Sequence, residues 1–260
     1  MNEFCIKTEN LSKSFKMAKR QNTILQVLQS SVKQNHLKNR LQILKELTCT
    51  INKGEKVALL GRNGCGKTTF LRIIGGIYKE TSGKIEVQGT ISMLLKSSYG
   101  LNGHIPVVDN IYLLGSIQNI ERSVIDNKIE EILTSAGLSD LRFTILKRLS
   151  SGEIQRLVLS TFFHADGDLL IFDESLESID PDFVKECDTY FTHLASSNKT
   201  LIMTSHHGNF LKKYCAQALW LEDGKIKMQG EFDKVYSEYE KSAPLKASYS
   251  TPPESISPYK

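Results

Sequence analysis

The amino-acid sequence predicts an α/β protein built on a parallel sheet, and three observations support this. Short apolar runs alternate along the chain with segments whose apolar residues recur at helical spacing, as when crossover helices join parallel strands. A glycine-rich turn connects one apolar run to a helical segment. Another apolar run ends in two consecutive acids, and ligands of parallel sheets bind where the strands end.

The composition is that of an ordinary globular chain. Its 260 residues, 40% hydrophobic and 24% charged, predict a single domain and exclude a disordered or fibrous chain. Apolar runs stay well below the roughly 18–20 residues that span a bilayer, so the chain alone is not expected to form a channel. The net charge of +4 is smaller than dedicated nucleic-acid binders usually carry, and no nucleic-acid partner is expected.

The cysteines and the N-terminus indicate a reducing compartment. The chain has 5 cysteines, an odd number, and none forms a CxxC pair, which argues against a disulfide framework and a zinc site. The first ten residues lack the apolar segment of a secretory signal. We therefore expect a cytoplasmic protein.

The N-terminal third alternates between strands and one helix. FCIKT, LQILKELTCTI and KVALL predict strands, with a turn at Asn52–Glu55. Between the first two, residues 21–40 predict an insertion helix, because Ile24 and Leu28 share one helical face and no Gly or Pro interrupts it. This helix either packs on the domain surface or is presented to a membrane or a partner subunit, and the sequence leaves both open.

The remaining elements complete a single domain over residues 1–241. A strand is predicted at 84–89, strands at 168–174 and 200–207, and an Asp-Gly hairpin at 218–230. The long helical block between the sheet segments predicts an inserted helical subdomain over about 92–165, beside an antiparallel β subdomain. The Ser- and Pro-rich residues 242–260 predict a disordered tail.

The glycine-rich turn has the pattern G-x-x-x-x-G-K-[ST] and predicts a phosphate-binding loop. Such glycines let backbone N–H groups point at phosphate oxygens, and the helix dipole adds positive charge there. Lys67 is expected to reach the β- and γ-phosphates, the Thr68 hydroxyl to coordinate Mg²⁺, and Thr69 to add a phosphate contact. The loop consists of Gly61, Arg62, Asn63, Gly64, Cys65, Gly66, Lys67 and Thr68.

The two acids at the end of LLIFDE complete the predicted magnesium site. Asp173 leaves a buried strand at its carboxyl end and is expected to bind Mg²⁺ through water. Glu174, the next residue, is expected to polarise the attacking water as a general base.

Further motifs resemble those of ABC ATPases, in that family's order. Leu149–Glu153, LSSGE, resembles the LSGGQ signature, Ser178–Asp180 resembles the D-loop, and His206 resembles the switch histidine. The resemblance covers roughly residues 5–240. RLSSGEIQRL, LLKSSYGLNGHIPVVDNIYL and CAQALWLEDGKIKMQG further resemble the ATPase subunits of exporters for capsule, O-antigen or teichoic acid.

The resemblance implies a RecA-like P-loop NTPase that hydrolyses ATP with Mg²⁺. Two copies would form a head-to-tail homodimer, in which Ser150, Gly152 and Glu153 contact the ATP held by the partner. His206 would orient the water, Asp180 would link the two halves, and Phe15 would stack on adenine. The dimer would drive an integral-membrane permease from the cytoplasmic face of the bacterial inner membrane, which the protein would touch only through the permease or peripherally.

The sequence also leaves alternatives open. An ABC ATPase serving another ABC-2-type permease, for a lipid or a drug, fits the same motifs, and a soluble ABC ATPase outside transport fits them less well. A metabolic P-loop kinase is disfavoured by the signature and by His206.

Some residues depart from the family pattern. Lys96 stands where exporters often have Glu and most ABC ATPases have Gln, and Glu153 replaces the signature Gln. Cys65 stands where the family usually has Ala. It is either a small residue in a tight turn or a reactive thiol whose pKa is lowered by Lys67 and the helix N-terminus.

Overall fold

A computed structural model describes residues 3–16, 40–95, 100–173 and 181–242. Several predictions fall outside these residues: the insertion helix, Lys96, Glu174, the D-loop with Asp180, and the C-terminal tail. Only Arg40 and Ser242, at the margins of the predicted helix and tail, are described, and each belongs to a regular element.

Nine strands and seven helices occupy the described residues. The strands are β1 (Phe4–Lys16), β2 (Arg40–Asn52), β3 (Lys56–Leu60), β4 (Ser82–Val87), β5 (Ile91–Leu95), β6 (Leu169–Asp173), β7 (Thr200–Thr204), β8 (Gln217–Glu222) and β9 (Lys225–Glu231). The helices are α1 (Lys67–Ile74), α2 (Val107–Ile117), α3 (Arg122–Ser135), α4 (Ser151–Phe162), α5 (Pro181–Ser196), α6 (Gly208–Tyr214) and α7 (Phe232–Ser242). None of these helices is long and apolar enough to cross a bilayer.

The predicted fold class is confirmed by a six-stranded sheet in the order β5-β6-β7-β3-β8-β9. The first five strands of this order are parallel and β9 is antiparallel. Every residue of β3, β6 and β7 is buried, as expected for strands covered on both faces. Because β6, β7 and β3 are neighbours, their carboxyl ends meet at one edge of the sheet.

The sheet separates two apolar cores, and β3 shows why. Its side chains alternate between faces, so Val57 and Leu59 join one core while Ala58 and Leu60 join the other. The first core lies between the sheet, α1 and a three-stranded antiparallel sheet of order β2-β1-β4. The second core lies under the remaining helices.

The predicted hairpin is present as β8 and β9. Asp223 and Gly224 have φ values of 49° and 77°, which two-residue hairpin turns of type I′ require at both central positions. The Asp-Gly pair therefore directs the chain into the turn.

The helices of the predicted helical subdomain occupy 107–162. Residues 92–95, which the sequence placed at its start, belong instead to the edge strand β5. Gln118 completes this edge. Its side-chain amide accepts from the Met93 N–H at 3.0 Å and donates to the Met93 carbonyl at 2.9 Å, as a further strand would. A five-residue apolar run such as ISMLL does not distinguish a strand from a buried helix, so the sequence pattern missed β5.

The connection from β5 into α2 is organised by Asn110, which is fully buried. The two N–H groups of its side-chain amide are shared among the carbonyls of Asn102, Ile105 and Pro106 at 3.0–3.3 Å, and its amide oxygen accepts from the Asn102 N–H at 2.9 Å. One side chain thus satisfies four backbone groups of this connection.

Candidate functional site

The glycine-rich loop joins β3 to α1 in a conformation that only glycine tolerates at two positions. Gly61 and Gly66 have φ values of 147° and 113°. A Cβ at Gly66 would lie 2.6 Å from Leu44 Cδ2, and one at Gly61 would collide with the Leu221 carbonyl. Glycine is therefore needed both for the backbone angle and for the close approach of neighbouring chain.

A cavity of about 380 Å³ opens above the start of α1. Six residues predicted to bind phosphate line it: Asn63, Gly64, Gly66, Lys67, Thr68 and Thr69. Within the described residues, no side chain caps α1 and no acid lies in its first turn, so the N–H groups there stay available to an anion. This cradle fits a phosphate group.

Lys67 is held over this cradle. It is 8% exposed, and its Nζ donates hydrogen bonds of 2.6 Å to the Gly61 carbonyl and 3.3 Å to the Arg62 carbonyl. The ammonium group thus lies on the loop itself, where it can exchange carbonyl acceptors for phosphate oxygens.

The other loop residues do not line the cavity. Arg62 is exposed and donates at 3.0 Å to the Ser242 carbonyl at the end of α7. Cys65 is half-buried, and burial raises the pKa of its thiol more than the nearby Lys67 lowers it. Of the two alternatives for Cys65, this favours the small residue in a tight turn over the low-pKa thiol, because desolvation of the thiolate outweighs the cation.

The magnesium acid predicted from LLIFDE is buried at the end of β6. Asp173 is 4% exposed, and its Oδ1 accepts a hydrogen bond of 2.9 Å from the Thr204 hydroxyl at the end of β7. Since β7 lies between β6 and β3, Asp173 is at the same sheet edge as the loop that follows β3. The oxygens of Asp173 and Thr68 are of the hard type that Mg²⁺ prefers, so the residues present fit this ion.

His206 lies two residues beyond β7 and is exposed. The sheet order therefore brings three predicted elements to one edge: the phosphate loop, Asp173 and His206. The catalytic roles of His206 and Glu174 stay predictions.

The signature residues lie at the start of α4, and none of them lines the cavity. Ser150 is the N-cap of α4 and forms a capping box with Glu153. A Cβ added at Gly152 would meet nothing within 4 Å among the described residues, so packing against them does not require glycine there. A backbone left open in this way suits close approach by another molecule.

Phe15, the predicted adenine platform, does not line the cavity either. Its ring packs edge-on against Tyr78, with centroids 5.4 Å apart, and the Lys13 ammonium lies 5.0 Å from the Phe15 centroid. Ile43 lines the cavity beside the phosphate loop, and stacking of adenine on Phe15 stays a prediction. Strand alternation in LQILKELTCTI could have suggested Ile43, because its neighbour Leu44 points into the core.

Comparison with known proteins agrees with this geometry. The family model described as ABC transporter matches residues 44–177. A teichoic acids export ATP-binding protein, TagH, from Staphylococcus saprophyticus is 31% identical over 206 residues, covering 79% of this chain and 78% of that protein. An O-antigen export system ATP-binding protein, RfbB, from Myxococcus xanthus is 32% identical over 213 residues and 81% of this chain.

The relatives differ in length, and a solved structure shares the fold. The chain spans about half of the Myxococcus protein, 49%, and 65% and 36% of two further curated relatives.

The dimeric ATP-binding cassette MJ0796, bound to ADP and Pi, superposes with a TM-score of 0.68 at 18% identity, covering 87% of this chain and 98% of that one. The fold, the loop and the matched sequence together show that this chain belongs to the ABC transporter family.

Proposed function

We propose that this chain is the ATP-binding and ATP-hydrolysing subunit of an exporter that moves a cell-surface polysaccharide or glycoconjugate across the bacterial inner membrane. The observation that carries the proposal is the cradle at α1, where an uncapped helix N-terminus and Lys67 face one cavity. Relatives named for O-antigen and teichoic acid export support the polysaccharide class.

Binding of ATP would begin with exchange at Lys67. Its ammonium group leaves the Gly61 and Arg62 carbonyls for the β- and γ-phosphates, so the chain's hydrogen bonds are replaced by stronger ones to an anion. The N–H groups at the start of α1 hold the same phosphates, and Thr69 adds a hydroxyl contact.

Hydrolysis would follow at the edge where β3, β7 and β6 end. Thr68 and Asp173 would hold Mg²⁺, which when bound would neutralise charge on the phosphates. Glu174 polarises the attacking water and His206 orients it. Asp173 is kept in place by the Thr204 hydroxyl.

The second half of each ATP site would come from a second copy. Ser150 and the Gly152 backbone of one copy contact the γ-phosphate held by the other, and Asp180 links the two. An open, unpacked backbone at Gly152 supports this approach. The dimer works on a separate permease at the cytoplasmic face of the membrane, through the helices of the helical subdomain.

The dimer is tested with Glu174→Gln, which should bind ATP and not hydrolyse it. Size-exclusion chromatography with light scattering should show a dimer in ATP with Mg²⁺ and a monomer in ADP. Glu174→Gln combined with Lys67→Ala is the control and should stay monomeric. A Glu174→Gln protein that is monomeric in saturating ATP contradicts the shared site.

The substrate class is tested in the host cell. Replacing the chain by Glu174→Gln should deplete surface polysaccharide and leave the finished polymer inside the cell, measured by fractionation and sugar analysis. Normal surface polysaccharide in such a strain contradicts this export function.

A further inference from the structure

Ser150 is already engaged by an anion of its own chain. Its hydroxyl and its backbone N–H both donate to Oε2 of Glu153, each at 2.7 Å. The Glu153 N–H donates back to Ser150 Oγ at 3.3 Å. The carboxylate therefore occupies two donors at the start of α4, and it does so as a full negative charge.

The Glu153 carboxylate and a phosphate would compete for these Ser150 donors. A hydroxyl has one proton and donates to one strong acceptor at a time. A carboxylate at this position also offsets the positive end of the α4 dipole and repels an approaching anion. A glutamine would accept the same bonds without the charge and would hold Ser150 less firmly.

Resting on the proposed function, we propose that Glu153 is a positioning residue that stands in for the γ-phosphate: its carboxylate occupies the Ser150 donors in the open state and must leave them before two copies close on ATP. Glu153 thereby raises the ATP concentration needed for closure. Glu153 therefore competes with ATP and opposes closure, whereas the family resemblance implies that this position contacts ATP and favours it.

A cation lies near enough to influence the carboxylate. The hydrogen bonds from Ser150 lower the pKa of Glu153, and Arg156, one turn further along α4, lowers it slightly more. The Arg156 Nε donates to the Ala136 carbonyl at 3.0 Å, which ties its side chain to the C-terminal end of α3.

The test compares Glu153→Gln with its parent, both carrying Glu174→Gln. The ATP concentration that gives half-maximal dimer is measured by light scattering at fixed protein and excess Mg²⁺. Competition predicts that this concentration falls about three- to tenfold in Glu153→Gln, because a neutral amide holds the Ser150 donors less tightly. Glu153→Ala, which removes the acceptor entirely, should also lower it.

A matched control is Glu121→Gln, which removes a carboxylate from the N-terminus of α3 outside the signature and should leave the half-maximal concentration unchanged. A second readout is the carboxyl carbon-13 resonance of Glu153. The pKa that it reports should rise towards the ordinary value when ATP closes the dimer, since the Ser150 bonds are lost. A role in α4 capping alone would not lower the ATP concentration for half-maximal dimer in Glu153→Gln, since weaker capping does not favour closure.

The outcomes separate the two proposals. If the parent dimerises with ATP and Glu153→Gln needs the same or more ATP, competition is overturned and the proposed function stands. If the parent does not dimerise at any ATP concentration, the proposed function fails and this role fails with it.

Discussion

Thr204, the last residue of β7, donates a hydrogen bond of 2.9 Å to Asp173, the last residue of the neighbouring β6. Both side chains are buried, at 2% and 4% exposure. A buried donor restricts a carboxylate to few orientations, so the parallel pairing of two strands sets the direction of the proposed magnesium acid.

Thr204→Val keeps the shape of this side chain and removes its donor. We expect ATP hydrolysis to fall about tenfold and the Mg²⁺ concentration for half-maximal activity to rise, because partners behind metal ligands have effects of this size. Thr204→Ser keeps the hydroxyl and should retain most of the activity. Parental Mg²⁺ dependence in Thr204→Val would contradict a positioning role for this bond.

Gly66→Ala tests the strain in the phosphate loop. An alanine here would have to adopt a φ of 113°, and its Cβ would lie 2.6 Å from the buried Leu44 side chain. We expect a loss of about 2–4 kcal/mol in the free energy of unfolding, from backbone strain and overpacking together, and a loss of ATP binding.

Gly137→Ala is the matched comparison for Gly66→Ala. Gly137 also has a positive φ, 67°, but a Cβ there meets nothing within 4 Å. The left-handed backbone alone should cost about 1–2 kcal/mol. Urea denaturation of the two variants separates the cost of backbone strain from the cost of overpacking. Equal losses in the free energy of unfolding would show that small movements relieve the crowding at Gly66.

Asn110→Ala should loosen the connection between the sheet and α2. It removes the hydrogen bonds to four backbone groups from a fully buried site, and we expect a loss of about 2–3 kcal/mol. Faster amide hydrogen exchange should appear around the segment 102–106. The exposed Asn209→Ala should change stability by less than about 0.5 kcal/mol, and an equally small effect of Asn110→Ala would contradict its organising role.

Cys65 should react slowly with thiol reagents. Burial raises its pKa, so at pH 8 a smaller fraction is thiolate than in an ordinary cysteine, and the rate should be lower than that of a small-molecule thiol. The rate should rise with pH, because the thiolate is the reacting form. Modification kinetics with Cys65→Ser as the control measure this site alone, since the other cysteines are buried. If Cys65 reacted faster than a small-molecule thiol at pH 7, its pKa would have to be lowered, which contradicts the effect of burial.

The sheet class, the phosphate loop, the acid at the end of β6 and the Asp-Gly hairpin could all be predicted from the amino-acid sequence. Each of these depends on local chemistry: five-residue apolar strands, glycines at positive φ, and a lysine and threonine at fixed spacing. Such features depend on residues that are neighbours along the chain, so the sequence pattern alone is enough to predict them.

Contacts between residues that are distant in sequence depend on the tertiary structure. It placed Thr204 on Asp173, Gln118 on the edge of β5, Ile43 rather than Phe15 at the cavity, and Glu153 on the Ser150 donors. It also buries the Cys65 thiol enough to raise its pKa, which argues against the reactive-thiol alternative. Strand order, burial and side-chain reach set these contacts, and none of the three is encoded in the spacing of residues along the chain.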